Sequence, residues 1–328
     1  MKAALGFTLV SSLVAVSVAG QSRPVTPKKW TTPRTPDGHP DLRGIWSNAT
    51  ITPLERPDKL AGKEFFTEQE AAEYEKRVVR ENDRDRRSSD PNIDVRGAYN
   101  EFWFDRGSKV VPTRRTSLVV DPPDGKVPPL TVRAQKAAAA REKIEGRPPE
   151  GPEDLPPVVR CLIWPTAGPA MLPTAYNNNY QILQTPGYVA ILTEMIHDVR
   201  IIPLDGRPHL PANIRQWMGD SRGRWEGDTL VVDTTNFTDK TNLRGSDENL
   251  HLVERFTRTD DNTIRYEFTV DDLTAFARVW KGEVPFLKVP GPIYEYACHE
   301  ANYAMTDILK GARAQEKAAA EAAEKQVR

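Results

Sequence analysis

Residues 222–237 read RGRWEGDTLVVDTTNF, and this stretch decides the fold. Glu226, Gly227 and Asp228 form a turn signal, and the run TLVVDT that follows has the texture of a strand with one face on a core. The same reading extends in both directions. Upstream, YQILQT (180–185), Pro186-Gly187 and YVAILTEMIH (188–197) read as strand, tight turn, strand, and DVRIIPL (198–204) continues extended to a second turn at Asp205-Gly206. Downstream, LHLVERFTRT (250–259), Asp260-Asp261-Asn262 and TIRYEFTVDD (263–272) form a hairpin. FARVWKGEVPF (276–286) and IYEYACHE (293–300) read as two more strands. Consecutive antiparallel strands with short turns make a meander, and a long open sheet leaves exposed edges. The expectation is therefore a mainly β domain over 160–305, closing into a calycin-like barrel or a sandwich.

The flanking chain reads differently. Residues 21–60 form a Pro-rich arm, since frequent Pro opposes both helix and central strand; it is expected to be extended and anchored by Ile45 and Trp46. Residues 61–159 hold helical and strand additions with loops. A helix is expected over 67–87, opened by a Thr67–Glu70 capping box with a thin apolar stripe at Ala71, Tyr74 and Val78. A strand is expected within 98–121, ending in SLVVD, and an Ala-rich helix near 131–145. A last helix covers 306–328.

Residues 1–20, MKAALGFTLVSSLVAVSVAG, carry a basic Lys2, an apolar stretch and small residues around a cut after Ala19 or Gly20. That is the pattern of a cleaved secretory signal, shorter than a membrane span. Export to the periplasm or the medium gives the two cysteines a meaning. Cys161 and Cys298 are expected to form a disulfide, with buried free thiols and a cysteine nucleophile as the other readings.

Composition narrows the function classes. There are 45 Lys+Arg against 46 Asp+Glu, a net charge of -1, which gives no reason to expect a nucleic-acid partner. There is no Gly-rich phosphate loop, GxSxG elbow, HExxH or CxxC, so no nucleotide cofactor is expected. What remains are polar clusters near strand ends. On a continuous strand His197 shares a face with Val189, Ile191, Val199 and Ile201 and points inward, while Glu194, Asp198 and Arg200 point outward. His197 is then a candidate acid or base, with Glu194 or Asp220 orienting it or serving as the second acid. Arg224 and the amides of Asn177, Asn178 and Asn179 are placed to steady negative charge. Trp217, Trp225, His209, His299 and Glu300 complete a candidate ligand-binding set, and His251, Glu254 and Arg255 form another cluster. His197, His209 and His299 with Glu300 or Glu194 are also residue types that ligate a divalent metal, but their spacing does not decide it.

The segments TPDGHPDLRGIW (35–46), DGRPH (205–209), GRWEGDTLVVDTTNF (223–237), LHLVERFTR (250–258) and YEYACHE (294–300) together resemble a widespread group of exported bacterial proteins, abundant in acidobacteria and uncharacterised. The resemblance spans nearly the whole mature chain. It implies a bacterial exported protein and carries over no reaction, cofactor or catalytic residue. Three function classes follow: a small-molecule enzyme using acid–base chemistry (hydrolase, lyase or isomerase), a lipocalin-like binding protein for a small apolar or aromatic ligand, and an envelope-associated structural protein.

Overall fold

The computed structural model describes residues 30–97, 100–164 and 166–327. The leader expected at 1–20 lies outside them. From Thr32 onward the described chain forms one compact unit.

Ten antiparallel strands build a nearly closed barrel, so of barrel and sandwich the chain adopts the barrel. The strands are β1 (Gly44–Ser47), β2 (Val119–Asp121), β3 (Asn179–Thr185), β4 (Tyr188–Thr193), β5 (Val199–Pro203), β6 (Asp220–Glu226), β7 (Thr229–Thr235), β8 (His251–Arg258), β9 (Thr263–Asp271) and β10 (Trp280–Lys288). Their order is β5-β4-β3-β1-β10-β9-β8-β7-β6, with β2 added to β10. The meander accounts for β3–β5 and for β6–β10.

Its two halves are joined by β1, which pairs β3 on one side and β10 on the other. The arm thus supplies a central strand, which corrects the expectation drawn from its Pro content. Residues 41–52 contain no Pro, and in that window Ile45–Gln181 and Trp46–Tyr180 find register. The anchoring by Trp46 holds: it is fully buried, and its indole N–H donates to the Leu42 carbonyl at 2.9 Å.

The terminal strands β5 and β6 meet through side chains. Arg200 Nε donates to Ser221 Oγ at 3.0 Å. A Cβ on Gly223 would stand 2.6 Å from Leu204 and 2.8 Å from Ile202, so this approach requires glycine. Inside, alternate residues converge. Tyr180 stacks on Phe286 at 5.2 Å, Tyr266 lies 5.0 Å from Phe256 and 5.1 Å from Phe286, and Phe268 meets Trp280 edge-on at 5.6 Å. Phe268 lies across from Gly282, whose absent Cβ makes room for the ring. One end of this core receives residues 166–172: Tyr180 Oη donates to the Ala167 carbonyl at 2.9 Å, and the Met171 amide donates to Tyr266 Oη at 3.1 Å.

The helices are α1 (Glu68–Asn82), α2 (Pro91–Gly97), α3 (Val132–Glu145) and α4 (Tyr303–Val327). The Thr67–Glu70 capping box opens α1 as read. The helix stops at Asn82, ahead of the expected 87, because the charged run beyond it has no apolar side chain to bury. Instead, the Arg84 amide bonds Glu101. The strand expected in 98–121 shrinks to β2, bounded by Pro122 and Pro123.

The strand expected at 293–300 is absent, and the segment runs as irregular chain. β10 is already paired on both sides, so no edge is free for a following strand. A disulfide holds the segment instead. Cys161 and Cys298 are bonded, with their Cα atoms 5.8 Å apart. Among the described residues, no helix is long and apolar enough to cross a membrane.

Candidate functional site

Between β4 and β5 the chain breaks strand geometry. Met195 and Ile196 are both buried, against Ala167 and beneath Trp164, Tyr176 and Tyr296. A strand sends consecutive residues to opposite faces, so burying both forces a turn. Ile196 and His197 accordingly take left-handed backbone, with φ of 61° and 52°. That conformation costs about 1–3 kcal/mol per residue and persists only where packing over-determines it. The turn also reverses the strand's phase. Val189 and Ile191 face inward before it; after it Arg200 and Ile202 are buried while Val199 and Ile201 are exposed. The expected inward His197 and outward Arg200 are therefore both reversed: His197 lies at the surface.

Its ring is nevertheless held. His197 Nδ1 lies 2.8 Å from the carbonyl oxygen of Tyr296. A carbonyl only accepts, so Nδ1 carries the proton and the neutral ring leaves Nε2 bare. The His299 ring lies 6.0 Å away. Beneath them Glu194, 4 % exposed, accepts from Asn179 Nδ2 at 2.7 Å and from the Tyr294 amide at 3.3 Å. Burial pushes the neighbouring Asp198 carboxyl above its usual range, opposed by the charge of His197. Asn302 reaches the Val159 carbonyl at 3.2 Å, so the 294–302 segment is tied down on both sides of Cys298. An open cleft of about 500 Å³ lies along that segment, lined by Cys161, Tyr296, Cys298, Glu300 and Asn302. His197 and Glu194 are thus carried by the turn and His299 and Glu300 by the segment facing it, while Asn179, at the start of β3, bonds Glu194.

The other expected residues lie elsewhere. His209 and Asp220 meet on the outer face of β6–β9. His209 Nδ1 is 3.0 Å from Asp220 and Nε2 is 3.0 Å from Asp233; His251 Nε2 reaches the second oxygen of Asp233 at 3.0 Å. Arg222 donates to Asp220 at 2.6 Å, and Asp271 stands 3.8 Å from His251 Nδ1. The Asp233 hydrogen bond raises His251 above the ordinary imidazole range, and His251 in turn holds Asp233 low. Asp233 was missed in the sequence, although a carboxylate beside Val231 and Val232 on a strand was a legible signal. Every ring nitrogen here faces a carboxylate, so the cluster fastens the 207–210 loop to the sheet.

Arg224 is exposed and pairs Glu226, so it takes no part at either place. Trp225 stacks on His39 at 5.1 Å, closing the barrel end against the arm. Asn178 is buried and committed to Asp105 and Thr174, and Asn177 occupies a left-handed turn position. Trp217 lines a cleft beneath α3. Glu254 is fully buried, bonded to Arg200 and to Tyr266 Oη at 2.8 Å, while Arg255 is on the outside with Glu226. His209 therefore does not join His197 and His299. Among the described residues, no three His, Cys, Asp or Glu side chains are arranged to hold a metal ion. No protein-family model and no curated protein matches the chain.

Proposed function

We propose that this is an exported bacterial protein that acts on a small organic molecule by general acid–base chemistry, as a hydrolase, lyase or isomerase, with His197 as the proton carrier. The observation that carries the reading is the Nδ1–Tyr296 hydrogen bond, which fixes the tautomer and leaves Nε2 as a base on an exposed ring. Backbone strain at Ile196 and His197 agrees with it, since such outliers cluster where geometry is functional. Asp198, whose carboxyl burial favours the protonated form, is the second proton carrier. Glu194 and Asn179 act as positioning residues that hold the turn against the 294–302 segment. The stacked rings occupy the barrel centre, so this reading puts the substrate outside it, against the exposed edge of the His197 ring. The N-terminal leader pattern and the disulfide support export.

The test is turnover of a panel of chromogenic acyl esters, lactones and epoxides by mature protein recovered from a bacterial periplasm. His197→Gln is expected to lower kcat/KM by about 10²–10⁴, the usual contribution of a positioned acid or base, with an unchanged circular dichroism spectrum. Turnover unaffected by that substitution rejects the assignment.

A further inference from the structure

A second concavity, of about 240 Å³, lies where α3 and the 152–157 segment pass over the loops that carry Trp217 and Lys240. Its apolar wall includes Ile144 and the buried Leu155, and Trp217 contributes an indole. The Trp217 backbone is fixed by Thr241, whose hydroxyl donates to its carbonyl at 2.7 Å.

The polar groups here are unequal. Arg141 Nη2 is shielded from solvent and has no hydrogen-bond partner. A guanidinium N–H left unsatisfied away from water is costly and calls for an acceptor. Arg160 lines the same space and holds Glu153 at a loose 3.4 Å. The carboxylates are less available to Arg141. Asp154 is occupied by Arg147 at 3.1 Å and by the Glu150 amide at 2.8 Å. Glu145, Glu153 and Asp239 are exposed at the rim, where water screens them. A shielded guanidinium N–H without an acceptor, on the half-buried Arg141, therefore outweighs solvated acids in setting what the cavity accepts.

We infer that this cavity binds a small aromatic carboxylate, its carboxylate on Arg141 with Arg160 and Lys240 nearby, and its ring against Trp217 and Leu155. The volume stands just below the usual range for ligand sites, which limits the body to about one ring. An indole face and a planar guanidinium fork are the partners that a flat acid uses best. The site is separate from the His197 turn and does not rest on the reading given for it.

The experiment is calorimetric titration of the mature protein with benzoate and with benzyl alcohol, its neutral counterpart of similar size. Benzoate is expected to bind at least about tenfold more tightly, the worth of one charge-assisted hydrogen bond. Arg141→Gln should remove that preference while leaving the folded spectrum intact. Because Arg141 belongs to α3 and its replacement can disturb that helix, the indole N–H resonance of Trp217, assigned with Trp217→Phe, is followed in the unaltered protein and should shift on adding benzoate. No heat and no shift at 10 mM benzoate (on the order of the weakest affinities worth assigning), equal affinity for benzyl alcohol, or undiminished binding by a folded Arg141→Gln variant each overturns the inference.

Discussion

Arg200 and Glu254 face each other inside the barrel as a buried ion pair, one arriving from β5 and the other from β8. Nη1 meets Oε1 at 3.0 Å, the second nitrogen bonds the second oxygen, and neither side chain is more than 4 % exposed. Ser221 accepts from Nε at 3.0 Å and Thr234 from Nη2 at 3.1 Å, and Tyr266 donates to the carboxylate. Arg200 also bonds β6 from β5, so the same pair ties the two end strands together. Removing one partner leaves a bare charge in the core. Arg200→Met should therefore lower unfolding free energy by about 3–5 kcal/mol, measured by urea denaturation. Arg200→Met with Glu254→Gln should lose less than Arg200→Met alone; an equal or larger loss contradicts the account.

The Cys161–Cys298 bond closes a separation of 137 residues. Replacing both cysteines with Ala should cost about 2–5 kcal/mol. Hydrogen exchange should rise across 294–302 well before it rises in β8 or β9. Uniform exchange changes would mean that the bond does not specifically hold this segment.

Phe268 fills the space that a side chain at Gly282 would take: an added Cβ would stand 2.2 Å from the ring. Gly282→Ala should cost about 1–3 kcal/mol through overpacking, seen as a lower urea midpoint with an unchanged slope. Phe268→Leu in the same chain should restore part of it.

The His251–Asp233 pair gives a signed pH dependence. His251 is raised above 6.5, so its contribution is complete below the unfolded imidazole pKa and fades as pH rises through the folded value. Asp233 is lowered from 3.8, so its contribution is present above that value and is lost only in more acidic solution. Melting temperatures of the unaltered protein and His251→Gln should accordingly differ most near pH 5–6, below the unfolded imidazole value, and draw together as pH rises through the folded one. A gap that widens with rising pH contradicts the arrangement.

The strands were legible wherever pairing was local. Pro186-Gly187, Glu226-Gly227-Asp228 and Asp260-Asp261-Asn262 mark hairpins whose partners lie only a few residues apart. β1 was not legible, because its partners lie far away in sequence at Tyr180 and Leu287, and the surrounding prolines masked a short Pro-free window. The phase of Arg200 was hidden for a related reason. EMIHD continues plausible strand alternation, and nothing local reveals that Ile196 is drawn into a cluster with Ala167 and Tyr296. Part of the candidate site was readable by residue type at Glu194, His197 and His299. Its assembly depends on the disulfide and on a backbone carbonyl, which residue chemistry along the chain does not show.

The central claim is that Tyr296 fixes His197 with its proton on Nδ1 and its lone pair on Nε2. Long-range ¹H–¹⁵N spectra of imidazole-labelled mature protein, recorded from pH 5 to 9 and assigned with His197→Gln, measure this directly. The account predicts that neutral His197 shows a protonated Nδ1 and an unprotonated Nε2. A neutral ring protonated at Nε2, or a rapidly averaging mixture of the two tautomers, would contradict it.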